Sequence, residues 1–558
     1  MLYFVTSNWL PLPFGDEWDT PGGLLVDLCR GTLTLGKLFQ QHNESRKFFP
    51  GLLYVCMAKV GGWDVRATMM LVFVTVCAIA GLSYRLLRQT PGATTLCALT
   101  AWLVVMFLCF SGSQFENFLW GIQVEPFFPG LAVLAVIAVN TSKLPFHSRT
   151  ICNIGLALVA TYTFANGMLL WLLGVPLPPD ADRPSRKQLI KWYSAYAACA
   201  LISVSSYFVG YVRSSMPFAS VTADFSKLTQ YLVLWAGSYF MTPNINPQIA
   251  GLVFIVVFVA AICAAIISVL RKRNWRTFYP PMLISAYACI TAVVTALGRL
   301  EFGVEEAVAV RYLTFSLFFY LAILTLIYAL YCSGVGGFHR FGRLLSHFTL
   351  AIVGLAALVL WVECYRHRLR DLESWHQNRK QLLLAQEWIA VIPHNPDLAS
   401  IYPDPEKLRQ YTRILSEHKL LRLSFVSDST ASAMIRAQPL SSDASHGQLE
   451  SCSVDNDGNL LFSGWAWIPQ SNRPADCVVF GVENALGGFE PITVAGTGVR
   501  RPDLVEQTQN QRLMRAGFFG LFNYQNAEQA VAGTVRGLAI DLREQKAHLL
   551  PGECAVSN

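Results

Sequence analysis

The chain has 558 residues, of which 53% are hydrophobic and only 14% charged, and it carries a net charge of +7. This composition excludes a soluble enzyme and places the protein in the membrane class. Nucleic-acid binding is excluded as well, because the Lys and Arg residues sit in short clusters between apolar runs, where cytoplasmic loops belong.

Residues 1–13 (MLYFVTSNWLPLP) are apolar but rise only about 20 Å as a helix. They read as a first transmembrane helix cut short. A cleaved signal peptide is disfavoured, since there is no basic n-region and no small-residue cleavage site. The stretch 14–46, FGDEWDTPGGLLVDLCRGTLTLGKLFQQHNESR, then packs Asp16, Glu17, Asp19, His42, Asn43, Glu44 and Arg46 into a loop bordering the membrane domain. Charge is costly beside a bilayer, so a cluster there invites a functional reading. Residues 24–40 read as a helix along the membrane surface, and 1–67 as the shortened helix plus its acidic loop.

A bilayer core of about 30 Å needs roughly twenty apolar residues per helix. Spans are read near 68–87, 93–111, 126–140, 150–164, 168–177, 192–212, 249–270, 278–298, 313–332 and 348–365. They predict an α-helical polytopic membrane domain of about ten or eleven helices over 68–365. The fifth is too short to cross alone and pairs with the fourth as a broken hairpin at Phe164-Ala165-Asn166-Gly167, which is tolerable only inside protein. Basic residues recur at Arg85 and Arg88, Lys143 and Arg149, 183–191, 271–276, and Arg340 with Arg343. If ten spans alternate, every cluster falls on one side, which the positive-inside rule makes the cytoplasm. The opposite side receives the acidic loop, 112–125, 213–248, 299–312 and everything after about 366. There, 229–241 (TQYLVLWAGSYFM) reads as an interfacial stretch whose aromatics anchor at headgroup depth.

Mixed charges at helical spacing and a Pro-rich connection make 366–447 a helical linker. From about 448 the pattern changes to short alternating runs, among them NLLFSGWAWI, DCVVFGVE and GFFGLFNY, which predict a small extracytoplasmic β-sandwich over 448–558. No CxxC pair occurs, so zinc and thioredoxin-like readings fail. In an oxidising compartment Cys452 and Cys554 can bracket the tail as a disulfide. Trp465 and Trp467 are two apart on a strand and face one side, where they stack on a sugar or, more commonly, fill a core.

Four constellations can carry chemistry. In Asp16-Glu17-Trp18-Asp19, adjacent loop residues point different ways, so one carboxylate can meet a substrate hydroxyl as general base while its neighbour meets a cation. A solvated acidic turn accounts for the same residues equally well. His42-Asn43-Glu44-Ser45-Arg46 combines imidazole, carboxylate and guanidinium in one turn, suited to a divalent ion or a phosphate but matching no all-protein metal cage. Glu116, Trp120 and Gln123 follow i, i+4, i+7 and share one helical face at the outer mouth. They line a substrate or are merely hydrated. Asn166, in the broken hairpin, is a similar case. Last, Arg299 and Arg311-Tyr312 stand at the outer ends of neighbouring helices and suit a lipid phosphate or pyrophosphate. The plainer reading is headgroup anchoring, or a salt bridge to Glu301, Glu305 or Glu306. There is no Walker A loop, GxSxG, HExxH or GxGxxG, so ATP-driven transport, serine hydrolysis, zinc proteolysis and dinucleotide chemistry lack support.

The combination of GDEWD, QHNESR and GR-x-x-FG-x-x-x-A-x-x-x-RY on a multi-span body resembles the GT-C fold glycosyltransferases, which use polyprenyl-phosphate-linked sugars. The resemblance covers roughly 1–365, and the GWAW, RPDL and AGFFG runs of the tail look like a domain that often follows such proteins. It implies that Asp16, Glu17 or Asp19 serves as catalytic base and that Arg311, Tyr312 and Arg299 meet the donor phosphate. His42, Asn43, Glu44, Arg46, Glu116, Gln123 and Asn166 would line the acceptor site, and a divalent cation, Mg or Mn, is admitted at Asp16 and Glu44. The implied partners are membrane lipid, a polyprenyl-phosphate sugar and an envelope glycan acceptor. The implied setting is the bacterial inner membrane with the tail in the periplasm. Two alternatives stand beside it: a transporter or flippase of a lipid-linked glycan, and a non-catalytic envelope protein whose tail binds glycan.

Overall fold

The computed structural model describes residues 1–179, 184–212, 225–272, 274–334, 342–436, 442–455, 459–483, 489–523 and 533–556. The expected basic residues Arg183 and Arg340, and the 213–224 part of the outer segment, lie outside the described residues. The chain divides into two compact units, one made of Met1–Trp9, Leu33–Cys56 and Val65–Leu372, the other of Leu10–Thr32, Met57–Asp64 and Glu373–Asn558.

The first unit is helical. In chain order it uses α1 (Leu2–Asn8), the start of α2 (Phe48–Gly61), α3 (Val65–Gln89), α4 (Thr95–Cys109), α5 (Val124–Asn140), α6 (Phe146–Thr161), α7 (Arg186–Phe208), α8 (Phe225–Gly237), α9 (Pro247–Lys272), α10 (Trp275–Arg299), α11 (Leu313–Cys332) and the start of α12 (Gly342–Glu387). Among the described residues six helices are long and apolar enough to cross a membrane: Val65–Gln89, Thr95–Phe118, Gly121–Asn140, Pro247–Arg271, Trp275–Phe302 and Val310–Cys332. The protein is a multi-pass membrane protein. They coincide with six of the spans expected among about ten or eleven helices. The 16 residues of α6 rise about 24 Å, short of a bilayer core, and 168–177 is split between a 3-10 turn and the four-residue helix Leu170–Leu173. The expected spans at 192–212 and 348–365 fall on α7 and α12, which the six do not include.

The break in the fourth hairpin is where the sequence placed it. Helix α6 stops at Thr161, and Ala165–Leu169 forms a 3-10 turn. A Cβ at Gly167 would sit 1.9 Å from the Ala160 carbonyl oxygen, so only glycine permits this return. The aromatic stretch 229–241 behaves differently from the interfacial anchor expected of it. Tyr231, Trp235 and Tyr239 are all buried, because α8 packs closely on α9: a Cβ at Gly237 would meet the Pro247 carbonyl, and one at Gly251 that of Val233, each at 1.9 Å. Small residues let helix backbones approach, and the aromatic rings fill the space beside them. Tyr239 accepts a hydrogen bond from Gln114 Nε2 at 3.0 Å.

The second unit holds a nine-stranded antiparallel sheet. Its main strands are β3 (Gly447–Val454), β4 (Asn459–Ile468), β6 (Cys477–Glu483), β7 (Phe489–Val499), β8 (Gly517–Asn523), β9 (Gly533–Asp541) and β10 (Lys546–Leu549), in the order β10-β9-β6-β7-β8-β4-β3, with β5 (Arg473–Pro474) on β4 and β11 (Cys554–Val556) on β9. β1 and β2 belong to the first unit and are described below. The expected β-sandwich is thus one sheet curled into a half-barrel. Phe462 on β4 and Phe480 on β6 are three strands apart, about 14 Å in a flat sheet, yet their rings stack with centroids 4.4 Å apart. The inward residues Leu460, Phe462, Ala466, Val478, Phe480 and Phe518 make one core. The other face, over β6, β7, β9 and β10, is covered by Leu384, Trp388 and Ile392 at and just beyond the end of α12 and by α14 (Asp428–Arg436). A disulfide joins Cys452 to Cys554, the pairing expected from the sequence. The two tryptophans pack on one cluster, as the core reading expects: Trp467 is buried against Leu504, Val505 and Leu513, and the partly buried Trp465 packs against the same group.

Burial pushes the Glu387 carboxyl up to about 7 from its ordinary value near 4.5. A carboxyl raised in the folded state contributes stability that is complete below the unfolded value and lost as pH rises through the folded one. Stability of this unit is therefore expected to fall between about pH 4.5 and about pH 7. Glu387→Gln is expected to remove that slope and to add up to about 3 kcal/mol above pH 7, read from thermal unfolding at several pH values. An unchanged slope in the variant would mean that another group sets it.

Candidate functional site

The site in the helical unit is built from a tight hairpin. Strands β1 (Gln41–His42) and β2 (Ser45–Arg46) pair antiparallel with Gln41 opposite Arg46 and His42 opposite Ser45, leaving Asn43 and Glu44 as a two-residue turn. Asn43 adopts φ 49°, a left-handed conformation that asparagine tolerates better than most residues. Arg46 locks the hairpin in place. It is buried, and its Nε donates to the Tyr207 carbonyl and its Nη1 to that of Phe39, each at 2.6 Å, while Nη2 reaches the Val209 carbonyl. Its guanidinium is thus engaged by backbone at the end of α7. The Tyr207 hydroxyl donates to the Glu44 carbonyl at 2.6 Å, and Ser45 Oγ accepts from the Ala165 N–H at 3.1 Å. The hairpin is therefore tied to the helix break beside Asn166.

So held, Glu44 projects its carboxylate to Arg299, with Arg299 Nη2 and Glu44 Oε2 3.2 Å apart across 255 positions of sequence. Arg311 Nη2 pairs with Glu306 Oε2 at 2.7 Å and stacks over Tyr312 with its guanidinium carbon 5.2 Å from the ring centroid. Both pairs remain partly exposed. The Tyr231 phenol lies within electrostatic reach of Arg299, Arg311, Glu306 and Tyr312, and burial pushes it up, so it stays a neutral O–H. Its oxygen has no hydrogen-bond partner among the described residues. Arg299 and Arg311, each paired with a carboxylate, thus lie within electrostatic reach of one buried phenol.

Nearby in the same unit is an ion pair that the sequence reading passed over. Lys47 Nζ and Glu125 Oε2 are 2.8 Å apart with side chains 7% and 1% exposed, and Tyr54 donates to Glu125 Oε1 at 3.1 Å. His42 lies within electrostatic reach of Glu125. The available signal was a carboxylate inside an apolar helix. Glu116, Trp120 and Gln123 do not share one helical face as expected. The short helix Phe115–Phe118 ends, Trp120 is extended at φ −131°, and a 3-10 turn Gly121–Gln123 precedes α5. Glu116 is half-buried there. The side-chain carbonyls of Gln123, Asn117 and Asn166 are buried and have no hydrogen-bond partner among the described residues.

The acidic triple belongs to the other unit. Glu17 is buried and its carboxylate accepts the Phe14 N–H at 2.9 Å, closing a turn. Asp19 accepts from the Tyr402 hydroxyl at 2.6 Å and from Lys407 Nζ at 2.9 Å, which fastens the loop to α13 (Pro405–Glu417) and the turn before it. Trp18 stands edge-on to Trp63 with centroids 5.1 Å apart, and Arg379 lies over the Phe14 ring. Asp16 is the exposed carboxylate of the three.

No family model matches this chain, and neither curated proteins nor solved structures give a match. The functional reading therefore rests on the residues themselves. Of those expected in a site, the fold of the helical unit brings Glu44 to Arg299 and ties the hairpin of His42, Asn43 and Arg46 to the break beside Asn166. It leaves Arg46 with a bracing task. Asp16 and Glu44, the expected cation ligands, fall in different units, and Glu44 is already paired.

Proposed function

We propose that the protein is an integral membrane glycosyltransferase that moves a sugar from a polyprenyl-phosphate carrier to an envelope glycan or lipid acceptor. The observation that carries this reading is the rim of Arg299 and Arg311, each held by a carboxylate it can exchange for phosphate, beside the unsatisfied Tyr231 hydroxyl. Guanidinium grips phosphate oxygens in a fork and keeps its charge. An arriving donor phosphate would take over Arg311 and Arg299 and release Glu306 and Glu44. The acceptor hydroxyl then attacks the anomeric carbon, the sugar–phosphate bond breaks with its electron pair going to the phosphate, and a carboxylate takes the hydroxyl proton. The resemblance implies Asp16, Glu17 or Asp19 as that base.

The Cys452–Cys554 disulfide supports a tail in an oxidising compartment, which fits a bacterial inner-membrane protein with its C-terminal domain in the periplasm. The test is transfer of label from polyprenyl-phosphate sugars in purified membranes. Arg311→Gln is expected to lower transfer on the order of 10²-fold, and Asp16→Asn by a similar factor. Transfer at the wild-type level in both variants would sink the reading. Label that crosses the membrane without being transferred would mark the flippase alternative instead.

A further inference from the structure

The sheet of the second unit runs from β10 at one edge to β3 at the other, and its two ends meet. The Leu449 N–H on β3 donates to the Pro551 carbonyl at 2.9 Å, and the Asp443 N–H, just ahead of β3, donates to the Leu549 carbonyl on β10 at 3.4 Å. Beside these bonds two imidazoles face each other. His446, at the end of the 3-10 turn that leads into β3, stacks on His548 of β10 with ring centroids 3.7 Å apart and planes 11° from parallel. His446 is buried, and its Nδ1 lies 3.3 Å from both Asp443 Oδ2 and Ser445 Oγ. Its Nε2 is buried without a hydrogen-bond partner among the described residues. His548 is half-buried.

Stacked neutral rings attract each other, and one proton is tolerated, because Asp443 stands ready at His446 Nδ1. A second proton sets two like charges ring against ring where burial leaves little water to screen them. The charged groups around His548 are Asp541 on β9, Asp443 in the turn and Lys546 on its own strand. Asp541 is itself engaged by Arg473 Nη2 at 2.7 Å. Helix α14 lies over the opposite face of β10, where Ala431 and Met434 join Ala547 and Leu549, and the sequence between α14 and the turn, 437–441 (AQPLS), holds no ionisable side chain. Burial and the neighbouring His446 ring hold the His548 imidazole below its ordinary value, with Lys546 acting the same way and the two aspartates opposing.

We propose that the His446–His548 stack is an acid-sensitive latch on the half-barrel: it fastens the turn before β3 to β10 while at most one ring is charged, and releases them when both rings carry a proton. A base held below its ordinary value in the closed state contributes stability that is complete above that value, near pH 6.5, and lost as pH falls. The Cys452–Cys554 bridge still joins β3 to β11, so acid frees the two ends locally and leaves the sheet connected.

The experiment is hydrogen exchange of the full chain in detergent, read by mass spectrometry in peptides covering 443–451 and 546–551 at several pH values between about 7.5 and about 5, each corrected for the intrinsic pH dependence of exchange. Glu387 moves the stability of this unit in the opposite direction with pH, so the series is run in a Glu387→Gln background. Protection of the two segments is expected to fall by up to about tenfold per pH unit below about pH 6.5, the limit for one proton taken up on opening, while β6 keeps its protection. His548→Phe keeps a ring in the stack that cannot be charged, and is expected to abolish the pH response. Lys546→Gln, at an exposed position, is expected to weaken it, because without that charge His548 takes its proton more readily in the closed state. Protection that does not change with pH would overturn the proposal, as would a full response in His548→Phe or, should that variant not fold, in Lys546→Gln.

Discussion

Lys47→Met is expected to destabilise the helical unit by about 3–5 kcal/mol, the usual cost of removing one partner of a buried ion pair. Lys47 and Glu125 are nearly inaccessible and 2.8 Å apart, so the deletion strands a carboxylate whose remaining hydrogen-bond donor among the described residues is the Tyr54 hydroxyl at 3.1 Å. The gain from a buried pair over apolar packing is small, whereas the penalty for half a pair is large. The double variant Lys47→Met with Glu125→Met should therefore recover most of the loss. Thermal unfolding of the four proteins in one detergent closes the cycle. A single variant as stable as the wild type would show that water reaches the pair. Because Lys47 follows Arg46 directly, the pair also holds the hairpin that presents Glu44 to Arg299, and the single variant should lose transfer along with stability.

Replacing Cys452 and Cys554 by serine should cost the tail about 4.7 kcal/mol on a chain-entropy estimate for a loop of about a hundred residues, the bridge spanning a sequence separation of 102. The effect is large because β3 and β11 stand at opposite ends of the chain's sheet segment, and the bridge closes the curled sheet where β11 pairs β9. The inner core of Phe462, Phe480 and Phe518 is left to hold that curl alone. Unfolding of the full chain, followed with and without reductant and in the double serine variant, checks this. Coincident transitions in all three would mean that packing already closes the half-barrel.

Much of the fold was legible because it depends on local periodicity. Apolar runs of about twenty residues located all six helices long enough to cross, Gly167 marked the break after α6, and the run NLLFSGWAWI marked β4. The disulfide was legible from its compartment and from its position around the strands. The other expected spans fall on α6, on the short helix Leu170–Leu173 with its 3-10 turn, on α7 and on α12, because apolar run length alone does not separate a helix of the bundle from one that crosses. The aromatics of 229–241 look the same at an interface or in a core, and only the close approach at Gly237 and Gly251 puts them inside.

The candidate site was less legible, for a related reason. Residue types alone named Arg299, Arg311 and Glu44 as groups able to hold phosphate or cation, because charge beside apolar sequence is costly enough to stand out. Arg311 takes Glu306, one of the nearby carboxylates the sequence offered, but the other pairings join residues far apart in the chain. Glu44 reaches Arg299 across 255 positions, Glu125 takes Lys47, and Asp19 takes Lys407 across 388. The sequence by itself determined a membrane protein with a strand-rich tail, since burial of apolar surface and strand alternation are set by neighbours in the chain. Only the tertiary structure decided that Arg46 braces backbone and that Glu17 closes a turn, because a charge finds its partner through the packing of the elements around it.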